Sequence, residues 1–199
     1  YRCTPSKTLI CQEQINFCLY VKEKYPTFFN NKKVLDVGSG DINGNNRYLF
    51  EDCDYFGCDV VETNNVTNVG FCHELPFADE TFDVVISTEC FEHDMFWTAS
   101  LRKIFQMLKV GGLFFFSCAT TGRPEHGTLR SRTGSSNTTK LGIDYYGNLT
   151  SEDVDMVLHV NSTFENPEFM LNPMAGRGQS EDLYFSGIKK VEDIYYDFS

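Results

Sequence analysis

Residues 33–46 of the chain read KVLDVGSGDINGNN, and residues 54–62 read DYFGCDVVE. Both segments are rich in the apolar and β-branched residues of a buried strand, and the first one ends in a glycine-rich turn. A strand that leads through such a turn into a helix offers backbone N–H groups and the positive end of a helix dipole to a polar or anionic ligand. The two segments therefore predict a ligand-binding turn between adjacent strands.

The alternation of strands and helices continues on both sides of this turn. Residues 81–87 and 113–118 predict two further strands, and residues 95–112 predict a helix that ends at Gly111 and Gly112. Continuously apolar strands that alternate with helices are typical of a parallel sheet covered on both faces. The sequence thus predicts an α/β doubly wound domain.

An amphipathic helix is expected over residues 6–25, before the first strand. Its apolar residues recur near helical spacing and Pro26 follows it. The residues that set this spacing are Leu9, Ile10, Ile15 and Leu19.

The last third of the chain has a different pattern. Residues 119–149 are rich in Gly, Ser, Thr and Arg without a sustained period, which is typical of a functional lid or a disordered segment. A helix follows over residues 149–160, with Thr150 or Ser151 as its N-cap. Residues 162–171 and 182–190 then predict two strands that pair antiparallel through the loop 173–181, because no crossover helix fits between them.

Length, charge and composition limit the class of protein. The 199 residues suit one domain, 1–199, and the first residue, Tyr1, suggests a module cut from a longer chain. No apolar run approaches the roughly 18 residues of a membrane span. The net charge of -11 disfavours nucleic acid as a partner. Eight scattered cysteines without a CxxC pair are expected to be reduced, buried thiols of an intracellular, cytoplasmic protein.

One cluster of basic residues departs from this acidic background. It lies in the expected lid and could bind a phosphate or carboxylate of a substrate, or could be an ordinary solvated loop. Its members are Arg123, Arg130, Arg132 and Lys140.

The glycine spacing restricts the ligand of the turn. A dinucleotide fingerprint would place its third glycine where Asn43 stands, whereas Gly44 comes one position later. A P-loop is excluded because no GK[ST] follows. Asp59, which is 19 positions after Gly40, can accept hydrogen bonds from both hydroxyls of an adenosine ribose. NAD and S-adenosylmethionine (SAM) both remain possible on this evidence.

Three more segments carry a family resemblance. The chain resembles the class I SAM-dependent methyltransferases in the order and spacing of these segments. They are ELPFADETFDVVIST (residues 74–88), the pair Glu92–His93 and LKVGGLFFFS (residues 108–117). The resemblance covers residues 30–120 well. It implies a seven-stranded, mostly parallel, Rossmann-like sheet with a C-terminal antiparallel hairpin, SAM as cofactor and S-adenosylhomocysteine as product.

Carried over by position, the resemblance assigns the donor site. The turn DVGSG, with Asp36, Gly38, Ser39 and Gly40, would surround the methionine part of SAM, and Asp59 would hold the ribose.

The sequence departs from the family at the adenine and in the turn. Phe71 stands where relatives usually carry an acidic residue, so adenine would depend on packing by Phe71 and on the backbone of Cys72 or His73. The glycine turn is one residue longer than the common form. The chain resembles glycan methyltransferases in this turn and in three later segments. These segments are TTGRPEHGT (residues 120–128), YYGNLTSEDV (residues 145–154) and DLYFSGIKK (residues 182–190).

The glycan subgroup implies a saccharide acceptor and fused or associated glycosyltransferase domains. Such a module would belong to a large-virus or bacterial glycan-assembly protein, in the host cytoplasm if viral. Rhamnose or another deoxyhexose is the narrower expectation for the acceptor.

Catalytic candidates follow the third and fourth strands. Glu89 should face the ligand crevice at the carboxyl edge of the sheet. A sugar hydroxyl needs a base as the bond to carbon forms, so His93 or His126 is a candidate base, with Glu92 or Glu125 orienting the ring. No protein metal site is assigned, although a divalent metal held by lid carboxylates is an alternative activator.

Other side chains near these candidates could have a purely structural role. Tyr145 and Tyr146 could stack on a sugar or merely anchor the loop. His73 and His159 resemble surface or packing residues. The whole chain also allows rival interpretations. It could be a methyltransferase for a small metabolite or a protein side chain, a binding module without catalytic activity or, more distantly, a nicotinamide oxidoreductase.

Overall fold

The structure, a computed structural model, describes residues 9–173 and 180–191. The described strands are β1 (Lys33–Val37), β2 (Asp54–Asp59), β3 (Asn68–Val69), β4 (Phe82–Thr88), β5 (Leu108–Ala119), β6 (Phe164–Pro173) and β7 (Ser180–Lys189). The described α-helices are α1 (Leu9–Lys24), α2 (Trp97–Met107), α3 (Ser151–Leu158) and α4 (Val160–Thr163).

All seven strands belong to one sheet, in the order β3-β2-β1-β4-β5-β7-β6. The pairs from β3 to β5 are parallel, and β7 lies between β5 and β6 and is antiparallel to both. The predicted doubly wound sheet with an antiparallel C-terminal hairpin is therefore confirmed. Because β1, β2, β4 and β5 run in one direction, their carboxyl ends meet at one edge, where ligands bind in this kind of sheet.

The sheet is covered on both faces, as the continuously apolar strands predicted. Along β5, Phe115 faces one core, whereas Phe114 and Phe116 face the other, and all three are fully buried. Burying a side chain of this size contributes roughly 1.5–3 kcal/mol relative to leaving it exposed. The core on the Phe115 side contains Phe17, Cys18, Val21, Val34, Val84, Ile86 and Leu113. The opposite core contains Leu35, Val85, Leu101, Ile104 and Val154.

Helix α1 is confirmed, but the residues predicted for its buried face are partly wrong. Leu19 is 48% exposed, while Phe17, Cys18 and Val21 are buried against the sheet. Phe17 stacks on the ring of Tyr184 at 4.7 Å, and this aromatic contact fixes the rotation of the helix. The side chains of Leu9 and Ile10 and the start of the predicted helix at residues 6–8 lie outside the described residues.

The predicted end of α2 at Gly111 and Gly112 is wrong. The helix ends at Met107, and both glycines lie inside β5. The register with β4 changes between Phe82 and Val84, and Gly111 has a φ of 75° at this irregularity. A glycine in left-handed backbone marks a β-bulge as well as a helix end, so the sequence signal was ambiguous.

The helix expected directly after the glycine turn is also absent from the described residues. A 3-10 turn, Asn46–Leu49, takes its place. Asp41 and Gly44 have φ values of 54° and 115°, which interrupt a right-handed helix. Side chains of this polar stretch bond to other groups, as Asn45 does to the backbone N–H of Arg47 at 3.2 Å.

Residues 120–149 have the irregular backbone that the sequence predicted, apart from an isolated bridge and two 3-10 turns, Thr133–Ser135 and Thr138–Leu141. The backbone N–H of Leu149 donates to the carbonyl of Ala119 at 3.0 Å, which joins the two ends of the segment. Thr150 then caps α3 in a capping box with Asp153, as predicted for its N-cap.

Two expectations from composition concern membrane-spanning segments and the state of the cysteines. No described helix has the length and apolar character that crossing a membrane requires. Six cysteines are described and all are free; Cys53 and Cys90 are half-buried, and the others, Cys18, Cys58, Cys72 and Cys118, are buried.

Candidate functional site

A cleft opens at the carboxyl ends of β1, β2 and β4. The glycine turn, the end of β2 and the segment after β4 form its walls, and residues 135–138 of the irregular segment close it from above. The predicted cofactor residues that line the cleft are Gly38, Asp59, Phe71, Cys72 and Glu89, and the catalytic candidate His93 lines it as well.

Asp59 lies in the cleft wall at the end of β2. Its Oδ1 accepts a hydrogen bond from Asn137 Nδ2 at 3.2 Å. Burial raises the pKa of Asp59, while Asn137 and the backbone N–H groups of Val60, Val61 and Gly40 oppose that rise. A ribose would therefore meet an acceptor that already has protein donors.

The backbone of the glycine turn differs from what its sequence suggested. The N–H groups of Gly38 and Ser39 both donate to the carbonyl of Cys58, at 2.8 and 3.0 Å, so neither is free for a ligand. Gly38 has a φ of 80°, and a Cβ there would lie 2.6 Å from Cys90 Cβ. Glycine is required at this position both for the backbone conformation and for the close approach of Cys90.

Asp36 lies behind the turn rather than along the cleft. Its carboxylate accepts hydrogen bonds from Asn46 Nδ2 at 3.2 Å and from the hydroxyl of Tyr55. Burial raises the pKa of Asp36 to about 7, against the lowering effect of these two donors. This carboxyl group holds the 3-10 turn and β2 together, and direct contact with a donor remains a prediction.

The predicted adenine wall contains three rings. Phe71 and Cys72 line the cleft, whereas His73 packs beside Phe71, with its ring 4.6 Å from that of Phe96. Phe71 and Phe96 meet edge to face at 5.3 Å. This apolar surface suits the face of a purine base.

Glu89 begins the segment after β4, with a left-handed φ of 51°. Its carboxylate accepts from Ser117 Oγ at 2.8 Å and from Arg123 Nη2 at 3.4 Å. Arg123 also binds Asp182 on β7. Burial and the charge of Asp182 raise the pKa of Glu89 to about 7, while Arg123 lowers it.

The catalytic candidates Glu92, His93 and His126 meet at the end of the cleft. The ring of His93 lies 5.0 Å from that of His126 and 5.6 Å from that of Tyr146. Gly127 lets the two loops approach, because a Cβ there would lie 2.5 Å from His93 Cε1. The backbone N–H of Gly147 donates to the carbonyl of Glu92 at 2.9 Å, which joins the irregular segment to the segment after β4.

The polar atoms of this cluster are buried without hydrogen-bond partners within the described residues. They are both carboxylate oxygens of Glu92, both ring nitrogens of His93 and the hydroxyl of Tyr146. Burial and the charge of Glu89 raise the pKa of Glu92 well above its ordinary value, while the backbone N–H groups of Glu92 and Ala119 and the charge of Arg123 oppose that rise. Burial lowers the pKa of His93 to about 3, with a further lowering from His126 and Arg123.

His126 differs from His93 in having one nitrogen engaged. Its Nδ1 lies 3.0 Å from the carbonyl of Pro124, and since a carbonyl only accepts, Nδ1 carries the proton and Nε2 the lone pair. Burial lowers the pKa of His126, so the neutral ring is favoured.

Neither carboxylate expected to orient these rings is hydrogen-bonded to a histidine within the described residues. Glu125 bonds to Thr128 at 2.7 Å and to Arg130 at 2.9 Å. Glu92 Oε1 is 4.0 Å from His93 Nε2, which is beyond hydrogen-bond distance.

Most of the basic cluster is engaged within the protein. Arg123 and Arg130 bind carboxylates, and Lys140 donates to Asn137 Oδ1 at 2.8 Å. This pairing favours the alternative of ordinary loop residues over a site for an anionic substrate.

Asn137 itself was not predicted as a site residue. Its contact with Asp59 joins positions 78 residues apart, which no local sequence pattern reveals.

The two tyrosines of the irregular segment have different environments. The side chain of Tyr145 is hydrogen-bonded to Trp97, which anchors the loop to α2. Tyr146 lies against both histidines, with its ring 5.0 Å from that of His126. His159 ends α3 in left-handed backbone, and its side chain is exposed, as predicted for a surface residue.

Comparisons with known proteins agree with this architecture. Residues 35–116 match the family model "Methyltransferase domain". No curated protein gives a significant match. Phosphoethanolamine N-methyltransferase 2 of Haemonchus contortus, solved with S-adenosyl-L-methionine, is similar with a TM-score of 0.62 and 17% identity. The match covers 88% of this chain but only 53% of that one, so the chain spans about half the length of this relative.

Two further solved structures are similar over nearly the whole chain. The 1,6-didemethyltoxoflavin-N1-methyltransferase of Burkholderia thailandensis, with S-adenosylhomocysteine bound, has a TM-score of 0.62 and 16% identity, covering 92% of this chain and 82% of that one. The PH0226 protein of Pyrococcus horikoshii has a TM-score of 0.59 and 16% identity, covering 94% and 95%. The sheet order and the antiparallel C-terminal hairpin are those of the class I methyltransferase fold, and residues 35–116 match the methyltransferase domain model.

Proposed function

We propose that this chain is a SAM-dependent methyltransferase that transfers the methyl group of SAM to a hydroxyl of a sugar in a glycan, with rhamnose or another deoxyhexose as the narrower expectation. The observation that carries the proposal is the cluster of His93, His126 and Tyr146, which adjoins the donor cleft through His93. It supplies a lone pair for a hydroxyl proton and an aromatic ring for a sugar face.

The donor would occupy the cleft in an order set by its walls. The ribose hydroxyls would bind Asp59, the adenine would lie against Phe71 and Cys72, and the methionine part would extend past Gly38 toward Glu89. Asn137 would give up its bond to Asp59 as the ribose enters. This placement leads the sulfonium toward the end of the cleft at which His93 lies.

The acceptor hydroxyl would then meet the lone pair of His126 Nε2. As the oxygen attacks the methyl carbon, the C–S bond breaks, the hydroxyl proton passes to Nε2, and S-adenosylhomocysteine leaves as a neutral thioether. Holding the reacting atoms in line contributes up to roughly 7–11 kcal/mol, and general base catalysis typically adds about 10²- to 10⁴-fold in rate. His93, whose nitrogens are more deeply buried, would position His126 through ring contact.

Two features support an uncharged saccharide over an anionic acceptor. The chain carries a net charge of -11, and three of the four basic residues near the cleft have partners within the protein. A neutral, hydroxyl-rich acceptor avoids repulsion by this field.

Methyl transfer from isotopically labelled SAM to a panel of acceptors tests the proposal. The panel contains rhamnose-terminated oligosaccharides, other hexosides, phosphoethanolamine and a peptide mixture, with products read by mass spectrometry. We expect label in the glycosides, with rhamnose highest. Label confined to phosphoethanolamine or to peptides would show a methyltransferase of another substrate class.

Donor binding is measured separately by thermal unfolding. S-adenosylhomocysteine should raise the unfolding temperature, because a ligand at about 100 times its Kd stabilises the folded state by roughly 2.7 kcal/mol. NAD at the same concentration should leave it unchanged. A shift with NAD alone would exclude the assigned donor.

A further inference from the structure

The buried cluster between the donor cleft and the irregular segment has the composition of a metal site. One carboxylate oxygen of Glu92 and one ring nitrogen each of His93 and His126 lie within 4.8 Å of one another. Glu92 is fully buried and His93 is 5% exposed, so water supplies little solvation to either side chain.

The polar atoms at this place lack partners. Both oxygens of Glu92 and both ring nitrogens of His93 are buried without a hydrogen bond in the described part of the chain. An unsatisfied buried polar group costs about 1–3 kcal/mol, and a carboxylate costs more. Four such atoms on two adjacent side chains are a strong indication that a ligand completes the cluster.

The third member of the cluster, His126, has one ring nitrogen with a free lone pair. Because His126 Nδ1 donates to the Pro124 carbonyl, Nε2 remains the acceptor nitrogen. A hydrogen bond from one ring nitrogen to a carbonyl is the usual support of a histidine whose other nitrogen binds a metal.

The distances require only a small contraction. Bonds from a divalent transition metal to nitrogen or carboxylate oxygen are about 2.0–2.2 Å, so two ligand atoms on one ion are separated by at most about 4 Å. The three ligand atoms now lie within 4.8 Å of one another, and rotation of side chains on the two neighbouring loops would bring them to this separation. Two imidazoles and one carboxylate favour an ion such as Zn²⁺, Mn²⁺ or Co²⁺ over Mg²⁺ or Ca²⁺, which prefer oxygen ligands.

We propose that Glu92, His93 and His126 form a binding site for one divalent transition-metal ion, which binds and acidifies the acceptor hydroxyl beside the methyl donor. The catalytic part of this inference rests on the proposed function. With an ion bound, the lone pair of His126 is used by the metal, and the hydroxyl proton passes to solvent as the C–S bond breaks and the O–C bond forms. The proton acceptance by His126 described above then applies to the metal-free enzyme.

Binding of Co²⁺ and Mn²⁺ to the chelator-treated full chain tests the site. We expect one equivalent of Co²⁺ to give visible d–d absorption without the near-ultraviolet thiolate band that coordination by the free cysteines would produce. One equivalent of Mn²⁺ should be seen as a loss of the free-ion signal in electron paramagnetic resonance.

Three variants and a matched control locate the ion. Glu92→Gln, which keeps the shape of the side chain, and His93→Ala and His126→Ala should each weaken binding by more than the roughly 10- to 100-fold that follows loss of an outer partner. His159→Ala removes an exposed histidine and should leave binding unchanged. Unfolding temperatures show that each variant is folded, and Glu92→Gln and His126→Ala decide the result if His93→Ala does not fold.

The outcomes separate this inference from the proposed function. No stoichiometric binding, or equal binding by Glu92→Gln and wild type, would overturn the metal site whether or not glycosides are methylated. Binding that is lost in the variants, with methyl transfer unaffected by chelation, would overturn the role of the ion in activating the hydroxyl. Site-specific binding by an enzyme that methylates no glycoside would support the site and contradict the acceptor class.

Discussion

The two halves of the cleft differ in how their polar groups are satisfied. In the donor half, Asp36 and Asp59 accept hydrogen bonds from protein groups, and the turn N–H groups of Gly38 and Ser39 donate to a strand carbonyl. In the acceptor half, Glu92 and His93 are buried with no hydrogen bond to their polar side-chain atoms among the described residues. The polar groups of the donor half are therefore satisfied by the protein, whereas the proposed acceptor half holds buried polar atoms that a ligand would satisfy.

The difference follows from the origin of each half. The donor residues belong to β1, β2 and the turn between them, where backbone pairing fixes their positions. The acceptor cluster joins the segment after β4 to the irregular residues 120–149, and few regular backbone bonds constrain that segment. Substitutions in each half test this difference.

Substitution of His126 should have the largest effect. His126→Ala removes the nitrogen that faces the acceptor and should reduce kcat by about 10²- to 10⁴-fold, while the affinity for S-adenosylhomocysteine changes less than twofold because Asp59 and the turn are untouched. Steady-state kinetics and calorimetric titration measure the two quantities. An equal loss in kcat and donor affinity would show that the halves are not separate, and His159→Ala serves as the control.

Asp36 should make stability fall as pH rises. Burial raises its folded pKa to about 7, whereas the unfolded group ionises near 3.8, so between these values the unfolded state releases a proton that the folded state keeps. The stabilisation by this group is full below about pH 4 and is lost through pH 7, with an upper limit of about 4 kcal/mol. Asp36→Asn should flatten the curve of unfolding free energy against pH over this range. Parallel curves for variant and wild type would contradict the assignment.

Asp59 should control donor affinity with little effect on the fold. Asp59→Asn removes the charged acceptor for the ribose hydroxyls, and loss of a hydrogen bond to a charged group costs about 1.5–3 kcal/mol, or roughly 10- to 150-fold in Kd. Asp54→Asn is the matched control, because Asp54 begins the same strand and is exposed. Calorimetric titration with S-adenosylhomocysteine measures the change. Equal affinities of the two variants would exclude Asp59 from the ribose site.

Asn137 should give the smallest effect and the opposite sign. Its amide donates to Asp59 Oδ1, so Asn137→Ala removes a competitor of the ribose hydroxyls. A neutral hydrogen bond contributes about 0.5–1.5 kcal/mol, which corresponds to roughly 2- to 10-fold tighter donor binding. Leu141→Ala alters an exposed residue of the adjacent turn and should have no effect. Weaker binding in Asn137→Ala would mean that the amide contacts the donor instead.

Much of the fold was predictable because strand pattern and turn chemistry agree along the chain. The apolar runs around Leu35, Val85 and Phe115 identify buried parallel strands, and Thr150 identifies the start of α3. The errors occurred where one local signal has two meanings. Gly111 lies at a register irregularity within β5 instead of at a helix end, and the polar turn after Gly40 forms a 3-10 segment instead of an α-helix.

Apolar periodicity along the chain is sufficient to predict the sheet and the cleft at its strand ends, because periodicity is a local property. Which side chains line that cleft, and which of them meet, depends on the packing of the whole chain. The contact of Asn137 with Asp59, and the burial of Glu92 and His93 beside His126 and Tyr146, join segments far apart in the chain. Hydrogen bonding and desolvation depend on such neighbours, so the chemistry of the site is a property of the packed chain.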